Sequence, residues 1–119
     1  MIRIIKAFCG EESENPDPIF KRGNLVLHRR YGYRAAVVEV TPVCEADEEW
    51  YQANQMQPDR NQPWYHLLVS GSQQTTYAAQ TNLRSDPIAE PIEHPLVPLF
   101  FSAFENGSYV RNERSWPGT

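Results

Sequence analysis

Seven residues near the start of the chain hold the side chains best suited to recognition chemistry. Lys21, Arg22, Arg29, Arg30 and Arg34 are five of the eleven Lys and Arg residues, and no Asp or Glu lies between Phe20 and Arg34. Tyr31 and Tyr33 are interleaved with them. Cations contact phosphate oxygens and aromatic rings offer platforms for bases, so the cluster reads as a DNA-binding loop. A solvated hairpin whose tyrosines pack inward would carry the same residues. A second set, Phe100, Phe101, Phe104 and Tyr109, exceeds what a terminal hairpin needs for solubility; an exposed subset would be a protein-binding patch.

Other chemistries find little support. His28, His66, His94 and Cys44 show none of the short paired spacings of zinc ligands, so no metal site is expected. A Cys44–His66–Asp47 nucleophilic set can be written down, as such a set can in most chains, and no catalytic residue is expected. The six glycines are scattered and build no phosphate loop, and no cofactor is expected. The acidic run Glu45, Asp47, Glu48, Glu49 suits the positive end of a helix better than a calcium loop, which needs spaced oxygen ligands and a turn glycine.

These residues must be positioned by short strands. Gln62-Pro63 leads into Trp64–Val69, whose alternation puts Tyr65, Leu67 and Val69 on one face and Trp64, His66 and Leu68 on the other. Both faces are largely apolar, which predicts a central strand covered on both sides, with Thr75–Ala78 returning antiparallel after the Gly71-Ser72 turn. Leu25–His28 is a first strand with Leu25 and Leu27 inward, and Arg34–Val40 a second with Ala36, Val38 and Val40 on one face. Between them Arg29–Tyr33 is a tight loop in which Gly32 can take positive φ. A helix over 46–57 would bury Trp50, Ala53 and Met56 and stop at Gln57-Pro58-Asp59. Residues 82–98, with four of the ten prolines, are expected to be irregular. Phe100–Phe104, Asn106-Gly107 and Tyr109–Arg111 form a terminal hairpin.

With 119 residues the chain is one domain able to form a modest core. Residues 1–19 read as an N-terminal strand or tail with an acidic linker, 20–112 as the domain, and 113–119 as a frayed end. Two cysteines make no disulfide framework, which leads to the expectation of a reducing cytoplasm. No apolar run approaches a membrane span. A net charge of −4 disfavours a global electrostatic grip on nucleic acid and leaves room for a local patch.

Four motifs occur in order: Tyr31-Gly32-Tyr33-Arg34-Ala35-Ala36-Val37-Val38, Asp47-Glu48-Glu49-Trp50, Gln62 to Val69, and Thr76-Tyr77-Ala78-Ala79-Gln80-Thr81-Asn82-Leu83. Together they resemble the YccV-like, or hemimethylated-DNA-binding, domain, a family that includes the bacterial heat-shock protein HspQ. The segment His94-Pro95-Leu96 through Phe100–Phe104 to Tyr109–Asn112 resembles the longer form of the domain, found alone in some bacteria and within eukaryotic F-box and mitochondrial proteins. The resemblance implies a mainly β fold, a small SH3-like barrel, here with a short helical insertion and a C-terminal hairpin extension. It implies DNA, possibly hemimethylated, as partner. The alternative it implies is a protein-interaction or adaptor module in regulated proteolysis or the stress response, whose partner would be a protease or its substrate.

Overall fold

The structure, a computed structural model, describes residues 16–54 and 57–117. Of the N-terminal strand or tail and linker expected over residues 1–19, residues 1–15 therefore lie outside the described residues, as does Met56. Residues 17 and 19 are tied to the domain by Gln80, whose Oε1 accepts from the Ile19 N–H at 3.0 Å and whose Nε2 donates to the Asp17 carbonyl at 3.3 Å.

The strands follow the β-branched and aromatic runs. They are β1 (Leu25–His28), β2 (Arg34–Thr41), β3 (Trp64–Val69), β4 (Thr75–Ala79) and β5 (Leu83–Ser85). They make one antiparallel sheet in the order β4-β3-β2-β1-β5. The fold is thus mainly β and consistent with an SH3-like barrel, although β4 and β5 remain edges and the barrel does not close. β5 falls in the stretch expected to be irregular: it has only three residues, two of them exposed, too short for alternation to register.

β3 is covered on both faces, as its composition predicts. On one side Tyr65 and Leu67 join Phe20, Val26, Ala35, Val37, Ala78 and Leu83. On the other Leu68 packs with Leu25, Ala36 and Val38 under Ile92, Phe100, Phe101 and Tyr109. Two strand readings need correction. The register of β2 against β3 shifts between Val37 and Glu39, a bulge that carries Val40 to the Tyr65 side, away from Ala36 and Val38. In β1, Val26 is fully buried while Leu27 is only half-buried, because this strand too has cores on both sides.

The helical insertion is α1 (Glu48–Ala53). Asp47 caps it by accepting from the Trp50 N–H at 2.8 Å, and Glu48 and Glu49 fill its first turn. It ends at Asn54, before the expected Pro58 stop. Its packing side also differs from expectation: Trp50 is 37% exposed and Ala53 exposed, while Tyr51 packs beside Trp64, Cys44 and Ala79. A helix of under two turns has no apolar stripe, so one residue suffices to anchor it.

The C-terminal extension begins with a helical turn, α2 (Val97–Phe100), and continues as the hairpin β6 (Phe101–Glu105) and β7 (Ser108–Arg111). Asn106 at φ 54 and Gly107 at φ 80 make the turn, the positive pair that Asn-Gly supplies at least strain. The hairpin docks at Gly23, whose carbonyl accepts from the Tyr109 N–H at 2.8 Å. A Cβ at Gly23 would lie 2.0 Å from the Tyr109 carbonyl oxygen, so this close approach requires glycine. The tail expected to fray does not do so throughout: Trp116 packs on Phe100 at 5.2 Å and His66 at 5.7 Å between ring centres.

Candidate nucleic-acid interface

The turn between β1 and β2 is built on His28. This buried ring lies between two tyrosines, stacked on Tyr31 at 4.8 Å and on Tyr33 at 5.0 Å between centres. Its Nδ1 accepts from the backbone N–H groups of Arg30 at 3.2 Å and Tyr31 at 3.1 Å. An accepting Nδ1 places the ring proton on Nε2 and keeps the imidazole neutral. Burial, followed by the nearby Arg30 charge, lowers the His28 pKa from its ordinary value and favours that state. Reading the sequence as ligand spacing alone overlooks this role, because the signal lies in ring stacking across the turn.

The tip presents Arg29, Arg30 and Tyr31, all exposed, with Tyr31 at 56%. Arg29 is steadied by its Nε donating to the Leu83 carbonyl at 3.1 Å. Neither Arg29 nor Arg30 has an acidic partner among the described residues. The short strand β5 adds Arg84, which also has no acidic partner among them and is exposed. Arg84 lies directly across from Leu27, two residues before Arg29, whose guanidinium reaches the carbonyl of Leu83, the neighbour of Arg84.

The other expected contributors are placed differently. Arg34 is consumed by the fold: its Nε donates to the carboxylate of Asp86 at 2.7 Å and its Nη2 to the Glu90 carbonyl. The Asp86 side chain is wholly buried, so Arg34 neutralises an internal charge rather than presenting one outward. Tyr33 is half-buried and its hydroxyl is bonded to Thr76 at 2.9 Å. Lys21 and Arg22 lie before β1 and the tip after it, so about 13 Å of strand separates them. Arg22 also shares its charge with Glu39 at 3.7 Å. Seven adjacent candidates therefore reduce to a tip of Arg29, Arg30 and Tyr31, joined by an arginine from a remote segment.

The aromatic set proposed for protein binding is not a surface. Phe100, Phe101 and Tyr109 are buried against Leu25, Ala36, Val38 and Leu68, and Phe104 packs half-buried against the same cluster. The apolar outer face of the sheet needs a cover, and the C-terminal extension, α2 and the hairpin, provides it together with Ile92. Tyr109 also spans the core with its hydroxyl, accepting from the Ile92 N–H at 2.9 Å.

A cavity of about 890 Å³ runs beside β4. Its walls come from the tip (His28, Tyr31, Tyr33), from β3 and β4 (Trp64, His66, Tyr77), and from the α1 region (Glu45, Asp47, Trp50). Among the described residues no group of three or more His, Cys, Asp or Glu side chains could hold a metal ion.

The comparisons with known proteins agree with this architecture. A family model described as hemimethylated DNA-binding protein YccV like matches residues 18–108. F-box only protein 21 of Mus musculus is 31% identical over 104 residues, covering 85% of this chain and 16% of the relative. The proteins of that name from Homo sapiens and Pongo abelii are each 30% identical over 104 residues and 85% of this chain, covering 16% and 17% of their own lengths. The chain thus spans about a sixth of the length of these curated relatives. With the match running from the first residues before the sheet into the C-terminal hairpin, the chain belongs to the YccV-like family.

Proposed function

We propose that this domain is a non-catalytic DNA-binding module that grips the phosphate backbone with Arg29, Arg30 and Arg84 while Tyr31 rests against sugar or base. Membership of a family described by hemimethylated DNA binding supports DNA as the ligand. The observation that carries the location is the tip itself: three exposed arginines without acidic partners among the described residues, beside an exposed tyrosine whose ring is stacked on His28. Three phosphate contacts give a log K against log salt slope of about −2.7 on duplex DNA. Affinity is modest, because the rest of the chain is acidic and repels the backbone. A preference for the hemimethylated duplex would require an apolar contact to the methyl group, and Tyr31 is the side chain placed to make it.

Fluorescence anisotropy on unmethylated, hemimethylated and fully methylated duplexes at two salt concentrations tests the proposal. The Arg29→Ala, Arg30→Ala double variant should weaken binding to all sequences and flatten the slope by about two, and Arg84→Ala by about one. Absence of binding at low salt, or binding unchanged in the double variant, would overturn it.

A further inference from the structure

The cavity beside β4 has a charge opposite to that of the tip. Among the described residues its lining includes Glu39, Glu45 and Asp47 and no Lys or Arg. Glu39 shares the charge of Arg22, whereas Glu45 and Asp47 have no basic partner among the described residues. Such a cleft repels phosphate and attracts a cation, so a nucleic acid held at the tip does not enter it.

The apolar part of the lining is a corner of two rings. Trp50 and Tyr77 stand 5.7 Å apart between centres at 60° to one another, with Trp64 behind both. Both residues of the corner are hydrogen-bonded to a neighbour that bears a carboxylate, Tyr77 through its hydroxyl and Trp50 through its backbone N–H. The Glu45 N–H donates to the Tyr77 hydroxyl oxygen at 3.0 Å, and Asp47 accepts from the Trp50 N–H at 2.8 Å. The indole packs on the Trp64 and Tyr77 rings yet stays 37% exposed, and it lines the cleft.

We propose that this corner receives an arginine side chain from an extended segment of a partner protein. The guanidinium is planar, weakly hydrated and always charged; it stacks on aromatic faces and offers a fork to carboxylates. The neighbouring wall already uses that chemistry internally: the Arg60 guanidinium lies 4.7 Å over the Tyr51 ring and 3.6 Å from the Glu48 carboxylate. β4 is an edge strand of the sheet, so an extended segment can lie along it and deliver its side chain to Tyr77. The partner is a protein segment rather than DNA because, among the described residues, every charged group in the lining is acidic.

The test is a nitrogen-15 NMR titration of the full chain with a capped Gly-Gly-Arg-Gly-Gly peptide and with its citrulline counterpart, which keeps the shape and loses the charge. The arginine peptide should give saturable shifts at the Trp50 indole and the Glu45 and Tyr77 amides, and the citrulline peptide should not. Glu45→Gln should weaken binding about fivefold, and Asp47→Asn, which retains the helix cap, should do likewise. Trp50→Ala should abolish the peptide-induced shifts at the Glu45 and Tyr77 amides while leaving the β1 and β5 resonances, remote from the indole, unchanged. Equal binding of both peptides, saturable shifts elsewhere, or no saturable shift at millimolar peptide would each overturn the proposal.

Discussion

Two hairpins of this chain invite a functional reading, and the structure treats them oppositely. The β1–β2 hairpin is charged and tyrosine-bearing, and its tip stands in solvent around a buried histidine. The β6–β7 hairpin is richer in aromatics, and its Phe101 and Tyr109, like Phe100 just before it, are buried in the core. What separates them is the face of the sheet they meet. The face of Leu25, Ala36, Val38 and Leu68 is apolar and is closed by Phe101 and Tyr109 of this hairpin together with Ile92 and Phe100 of the segment before it, so the hairpin becomes part of the fold. The tip extends past the end of β1 and has nothing to cover. An aromatic cluster therefore marks a binding surface only after the apolar faces of the sheet have been covered.

The largest effect expected from this contrast concerns stability. Phe101→Ala should cost about 3–5 kcal/mol, the range for truncating a buried phenylalanine, and removing residues 98–119 should abolish cooperative unfolding. Tyr31→Ala, which removes a comparable ring from the exposed tip, should cost under about 1.5 kcal/mol. Urea unfolding of the two point variants measures the gap directly. Equal losses would erase the distinction between the hairpins.

Much of this was legible in the sequence. Trp64–Val69 reads as a doubly covered strand because both of its alternating faces are apolar, and the structure places it so. Asp47 reads as a helix cap and Asn106-Gly107 as a turn because single residues carry those signals. The missing parts are those that depend on distant partners. Nothing local distinguishes Arg34 from Arg29, and only the fold brings Asp86 against the first and leaves the second exposed. Arg84 joins the tip through a strand too short to announce itself. The bulge that moves Val40 to the other face exists only in the pairing of β2 with β3. Trp50 reads as core because tryptophan usually is; its exposure follows from the helix being anchored by its neighbour, Tyr51.

A smaller effect links the tip to pH. Burial lowers the pKa values of His28 and His66 in the folded state, with Arg30 adding to the effect at His28. Unfolded histidine titrates near about 6.5. The unfolded chain therefore binds protons first as pH falls, so the histidines' contribution to stability is complete above that value and is lost as pH drops through their folded pKa values. The urea midpoint should decline as pH falls below about 6.5. His28→Asn should reduce that decline, since protonating His28 also removes the acceptor for the Arg30 and Tyr31 N–H groups. A decline of equal size in the variant would show that the titration lies elsewhere.

The central claim is that the chain keeps phosphate recognition at the basic tip and excludes it from the acidic, aromatic cleft. The most direct measurement is a nitrogen-15 NMR titration of the full chain with a hemimethylated duplex at low salt. The account predicts amide shifts at Arg29, Arg30, Tyr31 and Arg84, with the Trp50 indole and the Glu45 and Tyr77 amides unmoved. Shifts centred on Trp50 and Tyr77, with the tip silent, would contradict it.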